Sequence, residues 1–257
     1  MKPLVRNPAF AKALDIYKKT MEYGPPNEAN LSLFEERRLF TSCRCALTLE
    51  SGDIGTLAID PATSKVIDKV GAVVTPGSTQ VLDRKTGKLV TCDKFTCPYS
   101  IVGVNHAPFT AFLGWSGVVH AKAAPRVKDA AYSFLSYMSQ PAQANVDVTI
   151  GETGLNPYRI SQFKTIDSWL KAGMSPDAAN NYLSAIGVSL NSPNMVLDLR
   201  IPHNQQYQLE VLDAVLANFL AGKLTTEETM QQVEQRWEQI TKWGVSLNAP
   251  LTAPALG

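Results

Sequence analysis

Charged side chains are scarce in this 257-residue chain. Asp, Glu, Lys and Arg make up 18% of it, below the ordinary share of about a quarter. Net charge is +1, and no basic run is longer than Arg37-Arg38. Nothing here indicates a surface that neutralises phosphates, so nucleic acid is not expected as a partner. No apolar run approaches the roughly 20 residues that span a bilayer, and direct membrane insertion of this segment is not expected either. An apolar h-region is also missing, so no signal peptide is expected within these residues.

Catalytic signatures are equally thin. His106, His120 and His203 are scattered, without H-E-x-x-H or another metal spacing. There is no Walker loop and no G-x-G-x-x-G. The run Gly114-Trp115-Ser116-Gly117-Val118 falls short of a nucleophile elbow, because valine stands where the last glycine is required. Glu50 and Asp53 form a close acidic pair capable of acid–base work. Their place before Gly55 more readily suits a loop that accepts hydrogen bonds. No catalytic residue, cofactor or metal is expected, and the chain reads as a binding protein rather than an enzyme.

The four cysteines fall into two pairs, neither with C-x-x-C spacing. Alternation along a strand would put Cys43, Cys45, Leu47 and Leu49 on one face, with both thiols buried and unbridged. Cys92 and Cys97 follow an expected hairpin turning at Lys85-Thr86-Gly87. In an oxidising compartment they suit a short-loop disulfide. A zinc site built from all four thiols is the alternative.

Apolar residues make up 45% of the chain, enough for a core of one large domain or two small ones. The most informative stretch runs from Val104 to Met138. A Gly114-Trp115-Ser116-Gly117 turn leads into Val118-Val119-His120, which is β-prone. Beyond Pro125, Val127, Ala130, Ala131, Phe134, Leu135 and Met138 recur at helical spacing. Glycines let another molecule approach the backbone closely, and an indole offers a flat apolar face with one donor. Gly114 and Trp115 are therefore candidates for holding a sugar or another small polar ligand. The same residues also fit a tryptophan packed in a core beside a tight turn.

Helix signals bracket much of the remainder. Asn7-Pro8 opens a helix over 8–23, and Ser175-Pro176-Asp177 opens another through Tyr182 and Ile186. Thr225-x-x-Glu228 is a capping box before Met230, Val233 and Trp237. Leu209, Leu212, Val215, Leu216 and Leu220 read as the buried stripe of a helix beginning near Asn204. Arg200, His203 and Tyr207 cluster where extended chain becomes that helix, either as a solvated helix start or as ligand contacts.

Five short elements occur in an order that resembles the C-terminal part of extracellular solute-binding proteins of ABC importers, the maltose-binding type. They are Arg44–Asp53 (RCALTLESGD), Thr75-Pro76-Gly77, Leu113–Val119 (LGWSGVV), Lys128–Met138 (KDAAYSFLSYM) and Thr153–Arg159 (TGLNPYR). The resemblance implies an α/β, type II periplasmic-binding fold, mainly the second lobe plus a crossover segment of the first. Residues 1–98 and 155–257 would pack as that second lobe, while 99–154 would cross into the first. Nothing in the chain corresponds to the N-terminal third from which that family builds most of its first lobe, so a fragment is expected. By the family pattern, Glu50, Asp53, Trp115, Arg200, His203 and Tyr207 border the ligand cleft. Leu113 departs from the pattern, replacing the commoner glycine and narrowing the room beside Trp115.

The function so implied is capture of a small solute, a carbohydrate, outside the cell or in the periplasm, with a membrane transporter as partner. The alternative is the extracellular sensing lobe of a larger membrane receptor, for example a cyclase-linked one. A hydrolase or transferase is disfavoured by the missing motifs.

Overall fold

Local chemistry sets the helix starts. Asn7 Oδ1 accepts from the Ala9 and Phe10 amides at 2.8 and 2.9 Å, just ahead of Pro8. Ser32 and Glu35 form a reciprocal capping box, and Ser175 Oγ accepts from the Ala178 amide at 3.3 Å. Thr225 and Glu228 form the expected box, and the Thr225 backbone and hydroxyl hold the Glu228 carboxyl below its ordinary value. Each cap satisfies amides that the helix leaves open. Asn7→Ala should therefore lower stability by about 1 kcal/mol in urea denaturation followed by circular dichroism.

The computed structural model of the chain describes residues 3–109, 115–151 and 153–247, with side chains as far as 242. In chain order the elements are helices α1 (Pro8–Thr20), α2 (Leu33–Thr41) and α3 (Ile54–Leu57), then strands β1 (Gln80–Asp83) and β2 (Lys88–Thr91). Helices α4 (Pro125–Met138), α5 (Pro141–Asp147), α6 (Ser161–Lys164), α7 (Asp167–Lys171) and α8 (Pro176–Leu190) follow. A π-helical stretch, Gln206–Asp213, runs into α9 (Ala214–Leu220), and α10 (Thr226–Leu247) comes last.

Contacts divide the chain into two units. The first comprises 1–31, 78–105 and 199–257, the second 32–77 and 106–198. These boundaries differ from the expected division at 98 and 154. Residues of α5 and the turn after it do not stand apart: Val148 is buried in one cluster with Ile59, Trp169 and Tyr182.

In the first unit α1 packs on α10, and α9 with its π-helical lead-in packs on α10 as well. Val5, Val211, Val215 and Val233 form one buried cluster, and Leu14, Phe219 and Met230 a second. The buried positions Tyr207, Val211, Val215 and Phe219 fall every four residues, whereas Leu209 is exposed. The rest of the expected stripe is in place: Val215 is buried, and Leu212, Leu216 and Leu220 are half-buried against these clusters. The wider π-turn swings Leu209 outward. Strands β1 and β2 pair antiparallel with Asp83 opposite Lys88, and Gly87 closes the turn by donating to Asp83 O at 2.8 Å. After this hairpin Cys92 and Cys97 are joined by a disulfide with Cα atoms 5.2 Å apart.

In the second unit, Ile59, Val148, Trp169, Met174, Ala179, Tyr182 and Leu183 make the core, with α8 supplying the last three. Several expected strands are absent from it. Residues 43–50 are irregular, Leu47 and Leu49 are exposed, and Cys43 is exposed rather than buried. Cys43 instead ends α2. Its φ of 64° is left-handed, its amide bonds Phe40 O, and the Arg44 amide reaches Leu39 O. That pattern is a Schellman closure, which spends Cys43 on the turn rather than on a strand. Val118-Val119-His120 also forms no strand, and no residue of α4 is buried. The apolar face expected of α4 exists, but Val127 and Phe134 point to solvent. Among the described residues β1–β2 is the sole sheet. Isolated extended segments without ladder partners do not hold as strands.

Candidate functional site

The second unit brings together three of the sequence-selected residues, Glu50, Asp53 and Trp115, and adds others that the sequence did not single out. The 50–55 turn enters α3 and lies against α8. A Cβ on Gly55 would stand 2.6 Å from Tyr182 Cε2, and one on Gly52 would stand 2.6 Å from Asn156 Oδ1. The ring at Gly55 leaves no room for a side chain, so glycine is required there, while at Gly52 the Asn156 amide would have to move aside. The turn is thereby seated directly on Tyr182 and Asn156.

Arg37, from α2, ties the two acids of this turn together. Its Nε donates to Glu50 Oε2, and Nη2 donates to Asp53 Oδ1 at 3.1 Å. Nη1 lies 2.9 Å from Asp53 Oδ2 but without hydrogen-bond alignment, which leaves that oxygen open to a further donor. Asp53 is only 2% exposed. Burial alone would lower the Arg37 guanidinium. The hydrogen bond and charge of Glu50, followed by the charge and hydrogen bond of Asp53, outweigh it and hold the group above its ordinary value. A guanidinium fork suits two carboxylates at once, which a lysine could not match.

Trp115 is 74% exposed, so the alternative of a core tryptophan is excluded. Its Nε1 donates to Gly154 O at 3.2 Å. Two residues further on, Asn156 Nδ2 donates to Ser51 Oγ at 3.1 Å. The 153–157 loop thus connects an open indole to the acidic turn. Tyr182 lies beneath the turn, its hydroxyl buried and without a hydrogen-bond partner. Burial first, and the Asp53 charge second, push its phenol well above the ordinary value. It stays protonated.

Arg200, His203 and Tyr207 belong to the other unit. Arg200 is exposed, and His203 is half-buried with a left-handed φ of 62°. Tyr207 is a correction: it is buried, its hydroxyl lies 2.7 Å from Thr241 Oγ1, and its ring meets Trp237 edge-on at 5.6 Å. Tyr207 is therefore a core residue, because every fourth residue of this helix faces inward, while Arg200 and His203 stay at the surface. Gly114 lies outside the described residues. Asn156 carried a usable sequence signal, sitting inside the Thr153–Arg159 element. Arg37 carried half of one, since two buried acids require a cation, but the sequence does not say which of Arg37, Arg38 and Arg44 supplies it. Among the described residues no three metal-binding side chains gather, and no helix is long and apolar enough to cross a membrane.

No family model matches the chain. A mannitol-binding protein of Pseudomonas aeruginosa is 35% identical over 68 residues, which is 26% of this chain and 16% of that protein. Among solved structures, an ABC transporter solute-binding protein from Agrobacterium radiobacter in complex with ribitol aligns with a TM-score of 0.61 at 19% identity. It covers 94% of this chain and 51% of that one. A second, from Agrobacterium vitis with bound D-mannitol, aligns with a TM-score of 0.61 at 16% identity, over 95% of this chain and 54% of that one. The chain spans about half the length of these solved proteins. It has the periplasmic-binding-protein-like α/β fold that they share, over that half.

Proposed function

We propose that this chain is the solute-binding part of an ABC-importer solute-binding protein and that its ligand is a small sugar alcohol. The observation that carries the reading is the exposed Trp115 indole, tied through the 153–157 loop to an acidic turn backed by Asn156. A polyol offers C–H faces to an aromatic plane and hydroxyls that both donate and accept. The ribitol and D-mannitol held by the two solved relatives support that choice of ligand. The finer reading is a type II, maltose-binding-like protein. It is supported by the order of the sequence elements. An extracellular or periplasmic location, and a membrane transporter as partner, follow from the same proposal.

The test is calorimetry with D-mannitol and ribitol on the chain and on Trp115→Ala. Binding of at least one polyol is expected, weakened about tenfold, or about 1.4 kcal/mol, by the substitution. Because Trp115 is exposed, the variant should fold as the parent does. Absence of polyol binding, or binding indifferent to Trp115→Ala, would refute the assignment.

A further inference from the structure

The acidic turn is electrically unbalanced. Arg37 brings one positive charge to two carboxylates, so three touching side chains carry a net negative charge, with Glu50 and Asp53 almost out of water. Two neighbouring polar atoms are buried without partners. One is the hydroxyl of Tyr182, a residue 6% exposed, and the other is Asn156 Oδ1. Both belong to side chains seated against the turn, at Gly55 and Gly52 respectively. Asp53 Oδ2 is open to one more donor. The unsatisfied set is two acceptors and one hydroxyl that donates, beside an excess negative charge.

We propose that this site selects its ligand by charge, accepting neutral polyols and their amino analogues and rejecting sugar acids and sugar phosphates. The proposal rests on the polyol reading above. A neutral hydroxyl donates to Asp53 Oδ2 or Asn156 Oδ1 and accepts from Tyr182, so two adjacent polyol hydroxyls would satisfy the whole set. An ammonium compensates the excess charge as well. A ligand carboxylate can accept from Tyr182 but donates to neither oxygen, and its charge meets the uncompensated acid. At about 7 Å and an effective dielectric constant of about 20, that repulsion corresponds to roughly a 50-fold loss of affinity. Burial limits the relief that salt can give.

One carbon skeleton in three charge states tests this by calorimetry on the full chain at neutral pH, with D-mannitol, 1-amino-1-deoxy-D-mannitol and D-mannonate. The amino analogue should bind at least as tightly as D-mannitol, and D-mannonate at least about 30-fold more weakly than D-mannitol. Glu50→Gln, which removes the excess charge while keeping the side chain's shape, should narrow the gap to D-mannonate. Should that variant fail to fold, the wild-type series decides alone. D-mannonate binding within about threefold of D-mannitol overturns the inference and leaves the polyol reading intact. So does failure of the amino analogue where D-mannitol binds, because the end carbon would then be read by shape. Binding of none of the three overturns the polyol reading, and this inference with it.

Discussion

Arg37→Ala should destabilise the unit formed by residues 32–77 and 106–198 by about 3–5 kcal/mol, because it leaves two buried carboxylates facing each other without their cation. Glu50 and Asp53 take three nitrogens of one guanidinium between them, and their side chains are 7% and 2% exposed. Solvent cannot replace the lost partner at that burial. Arg37→Lys keeps the charge but not the fork, so it should recover part of the loss. Urea denaturation followed by circular dichroism measures both. Amide exchange on peptides from 32–77 locates the effect, with the 50–55 turn losing protection first. A cost below about 1 kcal/mol would mean that the pair is effectively solvated, as surface ion pairs are, and the charge argument for ligand selection would lose its basis.

The parts of this molecule that were legible in the sequence are those decided within about four residues. Asn7-Pro8, Ser175-Pro176 and Thr225-x-x-Glu228 each name a cap and the amides it satisfies, and each cap is in place. Leu209 shows the limit of the same reasoning. A π-turn inserts extra residues per turn, and nothing around Gln206 announces it.

Extended segments were less legible, for a different reason. RCALTLE alternates like a strand, but alternation gives only a face. A ladder partner must come from elsewhere in the chain. Cys43 went instead to the helix closure, where its amide found Phe40. The candidate site lies between these cases. Trp115 could be selected by chemistry, as an indole between glycines, and Glu50 and Asp53 stood out as a close acidic pair that only the family resemblance assigned to a ligand cleft. What organises them could not be selected in either way. Arg37 is 16 residues from Asp53, and Asn156 is 105 from Ser51. Tyr182 read simply as a helix residue on the buried side. It is that, but its ring also lies directly against Gly55 of the acidic turn, so one side chain serves the core and the site together.

That double service makes Trp169→Ala the most informative core substitution. Trp169 is 1% exposed among Ile59, Val148, Met174, Ala179 and Leu183, and its ring meets Tyr182 edge-on at 5.3 Å. Its Nε1 donates to Gln162 O at 3.3 Å. Truncation to alanine removes the packing, the aromatic pair and that donor together, and should cost about 3–5 kcal/mol. Trp169→Phe keeps a ring against Tyr182 and should cost distinctly less. The consequence for binding runs through Tyr182. Gly55 rests directly on its ring, so a cavity left beside that ring lets it shift and the Asp53 turn follow it. Trp169→Ala should therefore weaken polyol binding as well as stability, measured at a temperature where the variant is still folded. Trp169→Phe should leave binding close to the parent. Should Trp169→Ala lose stability yet bind a polyol unchanged, Tyr182 belongs to the core alone, and the turn is held in place by Arg37 and Asn156 without it.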